Sequence, residues 1–516
     1  AQGMADGGNG APYPNHPMRR GNRGPRRPSF TTRGSMTNLL RTLALAGALV
    51  AGLATASDVA AQDAPRVAQL VERTLAQHVT ASGAGCTVGV RVAGTSLSRA
   101  LGMADLERGV ALSPAAIIEA GSVSKQFTAM AALLLVADGR LALDDDVRRW
   151  FPELPVYERP ITVRHLLTHT SGLRDWGAVV ALEGWPRGSR AHTNAHVLQV
   201  AARQRALNYP PGATYSYTNT GYNLLALLVE RISGQSLAAF THDRIFVPLG
   251  MTRTSWRDDH RRIVRDRALA YTGGPTVELA MPDESAYGNG GLLTTSDDLL
   301  RWSAALQRAT LGRAVTDGMG QRFVLTNGDT ISYAMGVNVL SHRGTRELSH
   351  SGATGGYRAH LLSFPERDAA VSVLCNGASL NATQIAETLA DSLVGPRVRR
   401  PAPVGSGRPE RVTAAQEAGT LSAESARATA GWYASAEVGG EPFEVSWDND
   451  ALILRQAPAL RLRLLPRADG RFVAGGRVVW FDRDPAGRAT VMHIGQDRAW
   501  DVAFPAIAAP GAARSP

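Results

Sequence analysis

Gly121-Ser122-Val123-Ser124-Lys125-Gln126-Phe127-Thr128-Ala129-Met130-Ala131-Ala132-Leu133-Leu134-Leu135-Val136 contains the only lysine in a chain of 516 residues. The chain has 55 basic side chains, and every other one is arginine. Arginine keeps its proton at biological pH, whereas a buried lysine can lose it. The single titratable amine therefore stands three residues after a serine, at the head of an apolar run. A helix apolar on nearly every face is buried, and Asp138-Gly139 reads as its end. Residues three apart share a helix face, so Lys125 stacks beside Ser122. Burial and the positive helix N-terminus both disfavour an ammonium there. The pattern points to a serine nucleophile with a lysine base.

Outward from this segment the chain divides by composition. Residues 1–35 are rich in Gly, Pro, Asn and Arg and read as a disordered basic leader. Residues 36–61 read as a signal peptide: Met36 as a start, Arg41 as a positive flank, an apolar run Leu43–Ala56 and the small-residue site Val59-Ala60-Ala61. The mature chain is expected to begin near Gln62 and to be periplasmic or secreted. The formal net charge is +10, of which +6 lies in residues 1–41, so the remainder demands no nucleic-acid partner. No segment of the mature chain reads as a membrane span.

Residues 62–395 alternate helical and strand patterns. An amphipathic stretch from Pro65 to about Val79 precedes a Cys86–Val90 strand. Tyr222–Ile232 reads as a helix stopped by Gly234, and a further helix starts with Ser296 as its cap. Glu347–His350, Tyr357–Phe364 and Ala369–Leu374 read as a closing antiparallel meander. The expected class is α+β: an antiparallel sheet with flanking helices and a helical subdomain. Residues 396–427 read as a linker. Over 428–510, short alternating strands around Leu452/Leu454, Leu462/Leu464 and Val478/Trp480 predict a small antiparallel β-barrel-like or sandwich domain. The two cysteines, Cys86 and Cys375, fall in strands. An exported chain permits a disulfide, and two buried thiols fit equally well.

Two further segments carry chemistry. In Pro210-Pro211-Gly212-Ala213-Thr214-Tyr215-Ser216-Tyr217-Thr218-Asn219, Tyr217 and Asn219 sit on a loop entering a helix, where a phenol beside a lysine relays a proton and an amide orients a substrate. In His350-Ser351-Gly352-Ala353-Thr354-Gly355-Gly356-Tyr357, glycines let a substrate lie along a strand edge. No G-x-S-x-G elbow is present. His165/His169 and His192/His196 are spaced by four, but neither pair is H-E-x-x-H and no third ligand follows, so no metal is expected. No glycine-rich phosphate loop follows a strand, and no cofactor is expected.

In this order, the three segments resemble the class C β-lactamase-like serine hydrolases of the serine β-lactamase and penicillin-binding fold, whose members include D-aminopeptidases, D-alanyl carboxypeptidases and esterases. The resemblance extends to Gly102-Met103-Ala104-Asp105, Leu166-Leu167-Thr168-His169-Thr170-Ser171-Gly172-Leu173 and Gly288-Asn289-Gly290-Gly291-Leu292. It implies that Ser122 is acylated, that Lys125 and Tyr217 exchange its proton, that Asn219 orients the acyl side, and that the Ser122 and Ala353 N–H groups form an oxyanion hole beside Gly352. His350 stands where β-lactamases usually carry lysine, a departure similar to esterases and D-aminopeptidases. The C-terminal segment resembles the lipocalin-like domain of some members. The implied activity is an exported serine hydrolase acting on esters or D-amino-acid amides and peptides. A β-lactamase or D-alanyl carboxypeptidase is the alternative within the enzymes, and a penicillin-recognising sensor without turnover is the alternative outside them. The expected partner is a small-molecule or short-peptide substrate.

Overall fold

The computed structural model describes residues 64–394, 419–457 and 459–510. The stretches read as leader and signal peptide, and most of the stretch read as linker, lie outside the described residues. A six-stranded antiparallel sheet forms the centre, in the order Thr95–Leu101, Cys86–Val92, Ala369–Cys375, Tyr357–Phe364, Thr345–Thr354, Asn338–His342. Its inner strands are buried on both faces, so their side chains alternate between two cores. Val88, Val90, Val371 and Val373 pack under the helices 64–78 and Ala382–Val394. On the opposite face the Ser296–Arg308 helix lies so close that a Cβ on Gly89 would come within 3.0 Å of Leu300.

The Lys125–Ala137 helix forms the axis of the larger core. It packs against the Asn219–Ser233 helix and the rest of a helical subdomain. Gly234 ends the latter helix in the left-handed conformation, φ 77°, as its composition predicts. The Ser296 helix is capped one residue earlier than expected, by Thr295, whose hydroxyl accepts from the Asp298 N–H at 3.2 Å. Cys86 and Cys375 are direct cross-strand partners and form a disulfide, Cα to Cα 4.0 Å, which decides between the two readings left open by the sequence.

The C-terminal strands, from Gly431–Tyr433 to Ala499–Ile507, form a closed barrel of eight strands in meander order. Trp432 pairs with Ile507 to close it. The Ala423–Thr429 helix, capped by Ser422, straddles the end of the stretch predicted as linker, and its Ala426 is buried in the barrel core. That core continues without a break into Trp176, Val179, Val180 and Leu182 of the Trp176–Leu182 helix. Gln496 Nε2 donates to the Ala178 carbonyl at 2.6 Å, and Gln456 Nε2 to that of Leu182 at 2.7 Å. The barrel thus seats on the helix that flanks the cleft described next. Among the described residues no single helix is long and apolar enough to cross a membrane.

Candidate active site

Ser122 lies in a short 3₁₀ turn, Gly121–Ser124, just before the long helix rather than within it. From Gly121 to Leu135 every residue is buried except Ser122. The turn is fixed by Ser124, whose hydroxyl donates to the Gly121 carbonyl at 2.5 Å and accepts from the Leu292 N–H at 3.0 Å. The chain thereby presents one hydroxyl to a cleft of about 690 Å³.

Lys125 is fully buried. Its Nζ lies 3.2 Å from Ser122 Oγ, 2.9 Å from Asn219 Oδ1 and 2.6 Å from the Asn289 carbonyl. Burial pushes its pKa well down, and the neighbouring Arg498 charge adds to the effect. A neutral amine has two N–H donors, which match the two oxygens, and one lone pair, which is left for the Ser122 proton. The sequence singled out Asn219 for a substrate contact. The structure also shows it holding the base, and it adds Asn289, which had been noticed only within a glycine-rich segment.

The Tyr217 ring lies beneath Lys125, with Nζ 4.7 Å from its centroid. Burial raises the Tyr217 pKa, against a smaller opposing pull from the Ser122 hydroxyl. The phenol therefore stays protonated, and it can pass a proton but does not supply a resident phenolate. The two residues of the expected Lys125–Tyr217 base pair thus lie in contact. Asn219 begins a helix, and its N–H donates to Asp175 Oδ2 at 2.7 Å.

His350 lies on the neighbouring strand. The Asn338–His342 strand pairs only as far as Ser349, so from His350 onward this edge is open to the cleft. Tyr357 pairs with Thr354 across a two-residue turn, which leaves Ala353 in the next, non-bonded pair with its N–H directed away from the partner strand. The strand and the Ser122 turn meet at two glycines. A Cβ on Gly352 would come 2.0 Å from the Ala120 carbonyl, and one on Gly121, at φ +51°, would come 2.6 Å from the Ala353 nitrogen. Gly352 is thus a close-packing position. His350 Nε2 accepts from the Tyr333 hydroxyl at 3.0 Å and Nδ1 donates to the Ser351 carbonyl at 2.6 Å. Burial lowers its pKa to about 3, so the ring is neutral at pH 7.

Among the described residues the cleft lining includes Arg187, Arg358 and Arg498 but no aspartate or glutamate. Arg187 pairs with Glu284. Arg498, on a barrel turn between Ala489–Gln496 and Ala499–Ile507, pairs with Asp175 at 3.2 Å and sits 5.9 Å from the Tyr217 ring centroid. Arg358 donates to the carbonyls of Gly355 and Tyr357. The spaced histidine pairs have local tasks: His165 and His196 close capping boxes with Thr162 and Thr193.

The beta-lactamase family profile matches residues 67–395, which span the sheet, the helical subdomain and every site residue above except Arg498. The chain belongs to the beta-lactamase family. As a member it is a serine hydrolase, and relatives of both the peptidase and penicillin-binding kinds are similar to it. A penicillin-binding protein of Bacillus subtilis is 29% identical over 391 residues, 72% of this chain and 83% of that one. A D-aminopeptidase of Cereibacter sphaeroides is 29% identical over 320 residues, 61% of this chain. The chain spans only 59% of that relative's length. Among solved structures, an octameric penicillin-binding protein homologue from Pyrococcus abyssi aligns over 86% of this chain and 100% of its own, with TM-score 0.56 and 22% identity. The D-amino acid amidase of Ochrobactrum anthropi, solved with D-phenylalanine, aligns over 64% of this chain and 99% of its own, with TM-score 0.55 and 21% identity. These likenesses establish the α+β fold of the family member.

Proposed function

We propose that this protein hydrolyses esters and D-amino-acid amides or peptides through an acyl-enzyme on Ser122. The carrying observation is the buried Lys125 Nζ, within hydrogen-bond distance of Asn219 Oδ1, the Asn289 carbonyl and Ser122 Oγ; in its neutral form it donates to the first two and keeps a lone pair for the Ser122 proton. In the proposed cycle Lys125 takes the Ser122 proton as Oγ attacks the substrate carbonyl. The oxyanion sits between the Ser122 and Ala353 N–H groups, donors of a kind worth about 100- to 1,000-fold in rate. Tyr217 and Lys125 return the proton to the departing amine or alcohol. Water, deprotonated by the same amine, then cleaves the ester on Ser122 and releases the acid.

The lining ranks substrates. Of the three arginines in the wall, Arg187 and Arg498 are paired with Glu284 and Asp175, while Arg358 donates only to backbone carbonyls; that one cation suits a neutral or anionic acyl group better than a free ammonium. Neutral His350 makes a poor anchor for the carboxylate of a β-lactam. An ester or an N-acylated D-amino-acid amide matches both features. The Cys86–Cys375 cystine supports action outside the cytoplasm, where disulfides persist.

The test is product release from four chromogenic substrates: a short-chain ester, D-alanine anilide, N-succinyl-D-alanine anilide and a cephalosporin. Turnover of the ester or the blocked anilide, lost in Ser122→Ala, is expected. Preference for the cephalosporin would overturn the substrate reading, and a lasting adduct with no product would make the protein a sensor.

A further inference from the structure

His169 holds the segment that carries Tyr217 at two points. Its carbonyl accepts the Ser216 N–H at 3.0 Å, and its ring Nδ1 accepts the Thr218 N–H at 3.2 Å. Tyr217 is the residue between them. The two rings lie 4.2 Å apart, centroid to centroid, and Tyr222 and Tyr333 enclose the imidazole at 5.1 and 4.5 Å. Tyr333 in turn donates to His350. His169 is fully buried, yet it adopts φ +59°, a conformation costly for any residue with a Cβ. The Tyr209 hydroxyl secures this bend by donating to the His169 carbonyl at 3.2 Å. The bend lets one residue offer both its carbonyl and its ring nitrogen to the same stretch of chain. An accepting Nδ1 places the proton on Nε2, which is buried with no hydrogen-bond partner among the described residues. A second proton on the ring would abolish the Thr218 bond.

We propose that His169 is the positioning residue for Tyr217: its carbonyl and Nδ1 clamp Ser216 and Thr218, and so fix the Tyr217 ring against Lys125 beside Ser122. This rests on the reading of Tyr217 as the proton relay. Such a residue acts through geometry, and a displacement of about 1 Å in a reacting group costs about 100-fold in rate.

The test compares His169→Phe, which keeps a ring but no acceptor, with His169→Asn, whose Oδ1 takes the place of Nδ1 and whose backbone tolerates positive φ. Initial rates would be read on p-nitrophenyl acetate. His169→Phe should lower kcat about 100-fold with KM within about threefold. His169→Asn should recover about tenfold of that loss or more. In a Tyr217→Phe background, His169→Phe should add less than about twofold. Should the phenylalanine variant fail to fold, His169→Gln, whose acceptor lies one bond too far, replaces it and should lose what asparagine keeps. Unchanged kcat in folded His169→Phe would overturn the proposal. So would a full additive loss beside Tyr217→Phe, or asparagine no better than phenylalanine. If Tyr217→Phe alone keeps the parent kcat, the relay reading fails and this proposal falls with it.

Discussion

Arg498 Nη1 of the barrel lies 3.2 Å from the carboxylate of Asp175, which is itself the acceptor for the Asn219 N–H. Asn219 holds Lys125, so a continuous polar path runs from the C-terminal barrel to the base. After burial, the Arg498 charge is the next cause that keeps the lysine pKa low.

Arg498→Ala should therefore raise the Lys125 pKa and move the acid limb of the kcat/KM profile to higher pH. At pH 7 the fall in kcat/KM should be about tenfold, or about 1.4 kcal/mol. The pH–rate profile of the variant beside the parent checks both. An unmoved acid limb would show that the barrel does not tune the base.

A base kept neutral by burial weakens the fold. Below the ordinary lysine value of 10.5, the unfolded chain binds a proton at residue 125 that the native state excludes. Stability should therefore rise with pH as the medium approaches 10.5. Lys125→Met removes this dependence. The difference in melting temperature between parent and variant should shift in favour of the parent as pH goes from 7 to 10. Parallel melting curves would contradict a neutral lysine.

His350 has the same sign at lower pH. Its native pKa of about 3 lies below the ordinary 6.5, so between these values only the unfolded state takes up the proton. Relative to His350→Gln, the parent should lose up to about 1.4 kcal/mol per pH unit as pH falls through this window. Denaturant titrations at pH 7, 5.5 and 4 measure it.

The Cys86–Cys375 bond joins positions 289 residues apart on neighbouring strands of the central sheet. Replacing both cysteines by serine should cost about 2–5 kcal/mol of stability. The loss should appear as a lower denaturant midpoint, with the catalytic constants kept by the protein that remains folded.

The sequence revealed those parts of the site whose chemistry is local. One lysine among arginines, three residues from a serine and followed by an apolar run, marks the nucleophile and base without tertiary knowledge. Tyr217, Asn219 and His350 came from short segments with a family likeness. Asn289 was hidden because it serves through its backbone carbonyl, for which side-chain type carries no signal. Arg498 was hidden because nothing near it in the chain betrays a turn reaching across to Asp175. His169 was visible as one of two histidines four apart and as part of a segment with a family likeness, but its clamp on Ser216 and Thr218 depends on a distant loop. In the barrel, alternation disclosed the strands, but closure depends on Trp432 meeting Ile507. Most of the Ala423–Thr429 helix was absorbed into the linker because seven residues are too few to show an apolar period.

The most direct test of the central claim is Ser122 acylation with product release, followed on p-nitrophenyl acetate by stopped flow and intact mass for the parent, Ser122→Ala and Lys125→Arg. The account predicts a serine adduct and turnover in the parent, no adduct in Ser122→Ala, and at least about a 1,000-fold slower acylation in Lys125→Arg, whose guanidinium stays protonated and cannot take the serine proton. Acylation of Lys125→Arg at the parent rate would contradict the lysine-base mechanism, and an adduct persisting in Ser122→Ala would contradict the nucleophile.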